Sequence, residues 1–397
     1  MNIAQVSPLC ESVPPHCYGG TERIVSYLTE SLVEAGHEVT LFASGDSRTR
    51  ADLYATIPQA IRLSPHPHDA TVCHLLQLED VVRMADRFDV IHFHTDLFHF
   101  PLFRQLRIPQ VTTLHGRLDL PDIWRLYDEF SEMAVVSISD AQRRPIPRAN
   151  WVDTVYHGIP AGNFTFQPQG GDYFVFVGRI SREKRPDRAI EIALRTGVPL
   201  KIAAKVDPAD QRYFDEEIEP LLDHPLIDFV GEVNEAEKNT LLGGALALLF
   251  PIDWPEPFGL VMIEAMACGT PVVAMRNGSV DEVMLEGVSG RIVETLEEAI
   301  QAARSIHQID RRRCREYFES RFTDTRMARD YVRVYQKLLK CHSASDAGPP
   351  APHLRISGES SGMNTCPPAS PPGDKEQTRT LPPDGANGGQ PSLQEFL

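Results

Sequence analysis

The residues best placed to do chemistry lie in one stretch, Asp253-Trp-Pro-Glu-Pro-Phe-Gly-Leu-Val-Met-Ile-Glu-Ala-Met-Ala-Cys-Gly-Thr-Pro-Val-Val-Ala274. Two carboxylates stand in it, Glu256 and Glu264. At helical rise their eight-residue spacing covers about 12 Å, too far for a close acid/base pair. That separation suits a long ligand held at both ends. Leu260 to Ala267 has a helix-forming composition with no breaker. The N–H groups of Phe258, Gly259 and Leu260 would therefore lie at a helix N-terminus, an anion site with the helix dipole behind it. A nucleoside diphosphate joined to a small polar group fits this arrangement.

The countercharge comes from Gly178-Arg-Ile-Ser-Arg-Glu-Lys-Arg-Pro186. It follows a strand and precedes a helix, which places Arg179, Arg182, Lys184 and Arg185 where doubly wound sheets bind ligands. Arg179 offers a planar fork and Lys184 a point charge, a pair able to clamp a diphosphate. Taken alone, the loop is equally readable as a solvated basic turn. Gly19-Gly20 sits at the first strand-to-helix turn, where backbone can approach a phosphate or sugar closely; taken alone, such a dipeptide is more often just a tight turn. It is not a Gly-x-Gly-x-x-Gly fingerprint and gives no support to a nicotinamide cofactor. His115 ends a strand just before Gly116 and faces the expected crevice, with a satisfied structural histidine as the alternative. The run His92-Phe-His94-Thr-Asp96-Leu-Phe-His99 puts alternate residues on one strand face. No second cluster supplies further ligands, so these read as cleft-lining or core-edge histidines and no metal site is expected. Asp310-Arg-Arg-Arg-Cys-Arg315 reads as a solvated basic helix face, with docking to an anionic membrane as the alternative.

The elements that must position these groups follow from pattern. Strands are expected at Asn2 to Ser7, Glu38 to Ser44, Asp89 to His94, Pro109 to His115, Ala134 to Ser139 and Thr154 to His157. The first is followed by an amphipathic helix with Ile24, Val25, Leu28, Leu32 and Val33 on one face. Asn163 to Asp172 contains Pro-Gln-Gly-Gly, a composition break expected to link two domains. A second series then opens, with strands at Tyr173 to Val177, Pro199 to Ala204, Ile227 to Val230, Ala245 to Ile252 and Pro271 to Ala274. Its helices are expected at Asp187 to Leu194, Ala209 to Leu222, Glu235 to Leu242, Leu296 to Ile306, Arg311 to Arg321 and Asp324 to Lys340. Strands alternating with helices imply parallel sheets covered on both faces. From about His342 the chain turns rich in Pro, Gly and Ser and is expected to be a disordered tail.

Composition narrows the function. With 397 residues and 42% hydrophobic content the chain can bury two cores. A net charge of −16 argues against broad nucleic-acid binding. The seven cysteines are scattered with no Cys-x-x-Cys pair, which favours reduced thiols and a cytoplasmic location. The opening residues lack the basic and apolar regions of a signal peptide. No segment approaches the ~20 apolar residues of a membrane span, which leaves only peripheral membrane contact.

Together these motifs make the chain resemble the family 4 glycosyltransferases of the GT-B type, over residues 1 to about 340. The resemblance rests on Tyr-Gly-Gly-Thr-Glu-Arg, Thr-Leu-His-Gly and Tyr-His-Gly-Ile-Pro in the first half. In the second half it rests on Gly-Arg-Ile-Ser-Arg-Glu-Lys and Glu-Pro-Phe-Gly-Leu-Val-Met-Ile-Glu-Ala-Met-Ala-Cys-Gly-Thr-Pro-Val-Val. The opening Pro-Pro-His-Cys-Tyr-Gly-Gly-Thr-Glu-Arg, with Leu-Phe-Ala-Ser-Gly-Asp-Ser, is similar to a subgroup related to antibiotic-tailoring transferases. The resemblance implies an α/β fold of two doubly wound Rossmann-like domains facing each other across a cleft. Residues 1–165 would bind the acceptor, 172–322 would bind a nucleotide-sugar donor, 323–341 would cross back to the first domain, and 342–397 would form the tail.

It further implies roles for single residues. Arg179 and Lys184 would hold the donor diphosphate, with Lys205 as a further phosphate ligand. Glu256 would lie beside the transferred sugar and Glu264 would hydrogen-bond the ribose. Phe258, Gly259 and Leu260 would contact sugar and phosphate, Gly20 would lie near the diphosphate, and His115 near the sugar. Transfer would retain anomeric configuration, need no metal or other cofactor, and use a glycan, lipid-linked or small-molecule acceptor. An epimerase or phosphorylase of the same fold, or a non-catalytic nucleotide-sugar sensor, are the competing readings.

Overall fold

The computed structural model describes residues 1–16, 19–65 and 68–346. Two parallel sheets organise residues 1–342. The first has seven strands: β1 (Asn2–Val6), β2 (Glu38–Ala43), β3 (Asp52–Ala55), β4 (Val90–Phe93), β5 (Gln110–Thr113), β6 (Ala134–Ser137) and β7 (Asn150–Thr154), in the order β3-β2-β1-β4-β5-β6-β7. The second has six: β8 (Phe174–Arg179), β9 (Leu200–Lys205), β10 (Ile227–Gly231), β11 (Ala247–Phe250), β12 (Val272–Met275) and β13 (Gly290–Val293), in the order β10-β9-β8-β11-β12-β13. Central strands are apolar along their whole length because helices cover both faces: β11 is Ala-Leu-Leu-Phe, buried throughout.

In each sheet the strand order reverses once, between β1 and β4 and between β8 and β11. Loops leaving the C-terminal ends of such neighbouring strands diverge and leave a crevice. The Gly178 loop leaves β8 and the Asp253 loop leaves β11, so the second reversal brings both chemical motifs together. At the first reversal, β1 leads toward Gly19-Gly20 and β4 leads to His94-Thr95-Asp96.

The helix Leu260–Ala267 has the bounds its composition predicts. Several other expectations needed correction. The helix expected over Ala209 to Leu222 is broken into 3-10, α, π and 3-10 turns ending at Leu221. Pro220 explains this, since it has no N–H to donate and its ring clashes with the carbonyl four residues back. The strand expected at Thr154 to His157 is instead Asn150–Thr154, with His157 beyond its end. Edge strands β3 and β13 were not foreseen, because at an edge one side is wet and the apolar signature is lost; β3 is almost entirely exposed. Helix Ala70–Arg83 was likewise not foreseen.

The helix Gly20–Glu34 buries more than the expected stripe. Glu22, Arg23, Ser26, Thr29 and Ser31 are also covered, and the second half of the chain reaches Arg23 and Ser31. Ser31 donates to Asp324 at 2.9 Å and Arg23 pairs with Glu235.

The last described helix, Asp324–Asp346, returns to the first sheet. Tyr331 and Tyr335 are fully buried there, Arg326 donates to the Tyr156 and His157 carbonyls, and Lys337 to that of Val152. It runs past Lys340 to Asp346, longer than expected. The expected tail beyond that point, residues 347–397, lies outside the described residues. Among the described residues no helix is long and apolar enough to cross a membrane.

Candidate active site

Glu256 is 7% exposed, in the loop before the Leu260–Ala267 helix. Its carboxylate pairs with Lys184 and accepts from the Trp254 indole N–H at 3.0 Å. The Lys184 ammonium also stands 4.7 Å from the centre of the Trp254 ring, a cation–π contact. Glu256 is further pinned by Gly278, which adopts φ +56°. A Cβ at Gly278 would lie 2.3 Å from the Glu256 backbone N and O. Adjacent strands β8 and β11 draw the two loops together, and Asp253 N–H donates to the Glu183 carbonyl at 2.8 Å.

Arg179 and Lys205 are direct neighbours across β8 and β9. Both face Asp207, at 3.5 Å and 3.0 Å. Burial pushes the Asp207 carboxyl up, but Lys205 and Arg179 more than offset this and hold it below the usual carboxylate range. Arg182 and Arg185 leave the cluster. Arg182 is turned outward to Glu217, while Arg185 pairs with Asp187 and Asp253 and anchors the loop to the next helix.

At the mouth of the Leu260–Ala267 helix, Gly259 adopts φ +80° and no side chain caps the first turn. The backbone N–H groups that a helix start leaves without intrahelical partners are thus offered to a ligand. Gly20 approaches this point from the first half: a Cβ on it would sit 3.6 Å from Leu260 Cδ1. Glu264 lies deeper, 3% exposed, with Lys238 at 2.6 Å. The two glutamates therefore serve different lysines, as their separation demands.

His115, just past β5, contributes from the first half. Its ring stacks on His157 at 5.3 Å, and His157 meets the edge of Phe258 at 4.9 Å. Phe258 is fully buried, so its side chain is a wedge between the halves, and its carbonyl accepts from Ser279 Oγ at 2.9 Å. Burial pushes His115 down to about 3 and His92, His94 and His157 well below their usual value. Burial thus favours the neutral form of all four.

The structure supplies residues whose role the sequence did not signal. Lys238 neutralises Glu264 and Asp207 holds two cations of the cluster. Glu282 reaches across to the start of the Asp140–Arg143 turn, accepting from Asp140 and Ala141 N–H at 2.7 Å each. Ser139 Oγ donates to the Pro257 carbonyl at 2.6 Å. Arg117 pairs with Glu183 and covers Trp254 at 5.4 Å. Apart from Asp207, two residues beyond Lys205, each partner is remote in sequence, and no local pattern marks it. The Asp310–Arg315 run is corrected. Arg311 is buried, donating to the carbonyls of Gln167, Ala245 and Gly243 and to Thr270, while Arg315 donates to those of Ala161, Phe164 and Ala267. Of its arginines only Arg312 and Arg313 are exposed, so the run is in part a staple on residues 161–167 and not a wholly solvated basic face.

Two family models match consecutive stretches of the chain: Glycosyltransferase Family 4 over residues 18–161 and Glycosyl transferases group 1 over residues 163–319. The chain belongs to the family 4 glycosyltransferases, of GT-B fold. Its relatives include an uncharacterized glycosyltransferase of Methanocaldococcus jannaschii, 26% identical over 73% of this chain and 84% of that one. Phosphatidyl-myo-inositol mannosyltransferase of Mycolicibacterium smegmatis is also 26% identical, over 74% and 81%. Among solved structures, AviGT4, a glycosyltransferase involved in avilamycin A biosynthesis, superposes with a TM-score of 0.68 at 24% identity, covering 86% and 98%. Anabaena HepE in complex with UDP and glucose superposes with a TM-score of 0.66 at 19% identity, covering 85% and 100%. For this family 4 glycosyltransferase, the cleft between the two sheets is thus the candidate active site.

Proposed function

We propose that the enzyme transfers a hexose from a nucleoside-diphosphate donor to an acceptor hydroxyl, with retention of configuration and without a metal ion. The observation that carries this reading is Lys184 paired with Glu256 just before an uncapped helix N-terminus, with Arg179 and Lys205 side by side at the ends of strands β8 and β9. In this reading the second half, around residues 172–322, holds the donor and the first half, 1–165, the acceptor.

Glycosyl transfer builds positive charge at the anomeric carbon and negative charge on the departing diphosphate. Arg179, Lys184, Lys205 and the helix N–H groups meet the second charge electrostatically, the task otherwise given to a divalent ion. The acceptor oxygen attacks the anomeric carbon from the leaving-group face as the bond to phosphate breaks. The hydroxyl proton passes to the departing phosphate oxygen. Glu256 orients sugar hydroxyls, Glu264 binds the ribose, Phe258, Gly259, Leu260 and Gly20 bring backbone close to sugar and phosphate, and His115 faces the sugar from the first half. Closure of the two halves excludes water and suppresses hydrolysis.

The test is a panel of nucleotide sugars with candidate acceptors, read by nucleotide release and by NMR of the product anomer, with and without chelator. Release that needs an acceptor, a retained anomer and chelator-insensitive turnover are expected. An inverted product or loss of activity with chelator would overturn the mechanism. Binding without turnover across the panel would overturn the enzymatic reading of the cleft.

A further inference from the structure

The histidines of the first half form a buried hydrogen-bonded chain that transfer by the cleft residues alone does not use. Gln5 and His92 are register partners on adjacent strands β1 and β4. The face they share is covered by the crossing helix Asp324–Asp346. Tyr335 Oη lies 2.7 Å from His92 Nδ1, and Gln5 Nε2 donates to it at 3.0 Å. Gln5 Oε1 lies 2.8 Å from His94 Nε2, and His94 Nδ1 lies 2.8 Å from His115 Nε2. His92 Nε2 closes the chain on Thr113 Oγ1 at 2.7 Å.

A neutral imidazole has one donor and one acceptor, so each bond dictates the next. Gln5 Oε1 only accepts, which puts the His94 proton on Nε2 and leaves Nδ1 bare. His94 Nδ1 then accepts from His115, so His115 carries its proton on Nε2. Its Nδ1 is left as a lone pair with no partner among the described residues. The opposite polarity would turn the amide, shift every proton along the chain, and leave a buried N–H without an acceptor at His115. An orphaned donor is the rarer and costlier outcome, which favours the first polarity.

We propose that Gln5, His94 and Tyr335 are positioning residues that lock His115 in the Nε2–H tautomer, so that its Nδ1 accepts a hydrogen bond from a substrate hydroxyl. This rests on the reading of His115 as a sugar-facing residue. The crossing helix thereby takes part in catalysis at a distance, through Tyr335 and Gln5. The consequence for specificity is that His115 recognises a hydroxyl and discriminates against a deoxy or O-methyl sugar at the position it faces, since neither has a proton to give.

The experiment uses the full chain with ring nitrogens labelled, and reads the His115 tautomer by two-bond nitrogen–proton NMR without any substrate. The Nε2–H form is expected in the wild type. His94→Leu removes the acceptor for His115 Nε2–H, while His94→Asn keeps an amide oxygen near the Nδ1 position. His94→Leu should mix the His115 tautomers and lower kcat roughly tenfold or more, with a smaller change in donor KM. His94→Asn should restore both the tautomer and most of kcat. Tyr335→Phe should mix the tautomers more weakly. An Nδ1–H form in the wild type would overturn the proposal, as would a tautomer or kcat that ignores His94→Leu. Should His94→Leu fail to fold, the wild-type and Tyr335→Phe spectra still decide. The absence of turnover with any nucleotide sugar would count against the proposed donor chemistry and leave the substrate-free spectrum unaffected.

Discussion

Lys184 joins three features that lie apart in sequence: the basic loop, Glu256 and the Trp254 ring. Its ammonium neutralises a carboxylate that is itself almost wholly buried. Coulomb attraction in such a site far exceeds its value in water, and the same charge is available to the departing diphosphate. Lys184→Ala is therefore expected to reduce kcat more than tenfold at saturating donor (a loss of about 1.4 kcal/mol or more). A steady-state assay checks this, and a near-normal kcat would contradict the assigned role. Arg311 shows the opposite use of a cation. It meets three backbone carbonyls and the Thr270 hydroxyl inside the protein. Arg311→Ala would strand those acceptors, at a cost of about 2–4 kcal/mol in denaturant unfolding, without touching the cleft. Kinetic constants of the folded fraction should stay near wild type.

The decisive element is the loop and helix from Asp253 to Ala267. Apart from Glu264 the helix is apolar, because it is packed between β11, β12 and neighbouring helices. Its N-terminus and Glu264 are consequently the parts it offers to a ligand. The loop before it is shaped by Gly259 and Gly278, both in the left-handed region. Gly278→Ala would strain the backbone and push a methyl into the Glu256 main chain. The expected result is a loss of about 1–3 kcal/mol of stability together with a fall in kcat, as Glu256 shifts against Lys184. A stable variant with unchanged kcat would show that Glu256 needs no such placement.

At the scale of the whole molecule, buried titratable groups make stability depend on pH. His74, His92, His94, His99, His115 and His157 are each held below their usual value, in every case chiefly by burial. The unfolded chain takes up these protons near pH 6.5 and the folded protein does not. Stability is thus fully present above pH 6.5 and is lost as pH falls below it, each group contributing up to about 1.4 kcal/mol per pH unit. Asp96, Glu22 and Glu11 act in the other direction. Burial raises all three, the first two to about 7, so the folded protein keeps protons that the unfolded chain releases above about pH 4. Six histidines outweigh three carboxyls. Tm is expected to fall steadily from pH 6.5 to 5 in scanning calorimetry, and a flat or rising Tm over that range would contradict the account.

What the amino-acid order determined by itself is whatever neighbouring residues decide among themselves. The Leu260–Ala267 helix is set by an unbroken run of helix formers behind Pro257 and Gly259. Parallel sheets follow from strands and helices that alternate, and the Gly178 and Asp253 loops stand out as a charged and a Pro/Gly-rich interruption between apolar runs. Only the tertiary structure decided which charge meets which. Arg182 and Lys184 stand two residues apart in one basic loop; the fold turns one outward to Glu217 and the other to Glu256. Arg311 looked like a surface cation until Gln167, Gly243 and Ala245 converged on it. Lys238 and Glu264 are 26 residues apart, and Ala141 and Glu282 are 141. Such pairs depend on how strands are ordered in a sheet and how two sheets face each other. Local propensity carries no record of that order, which is set by burying all the apolar faces at once.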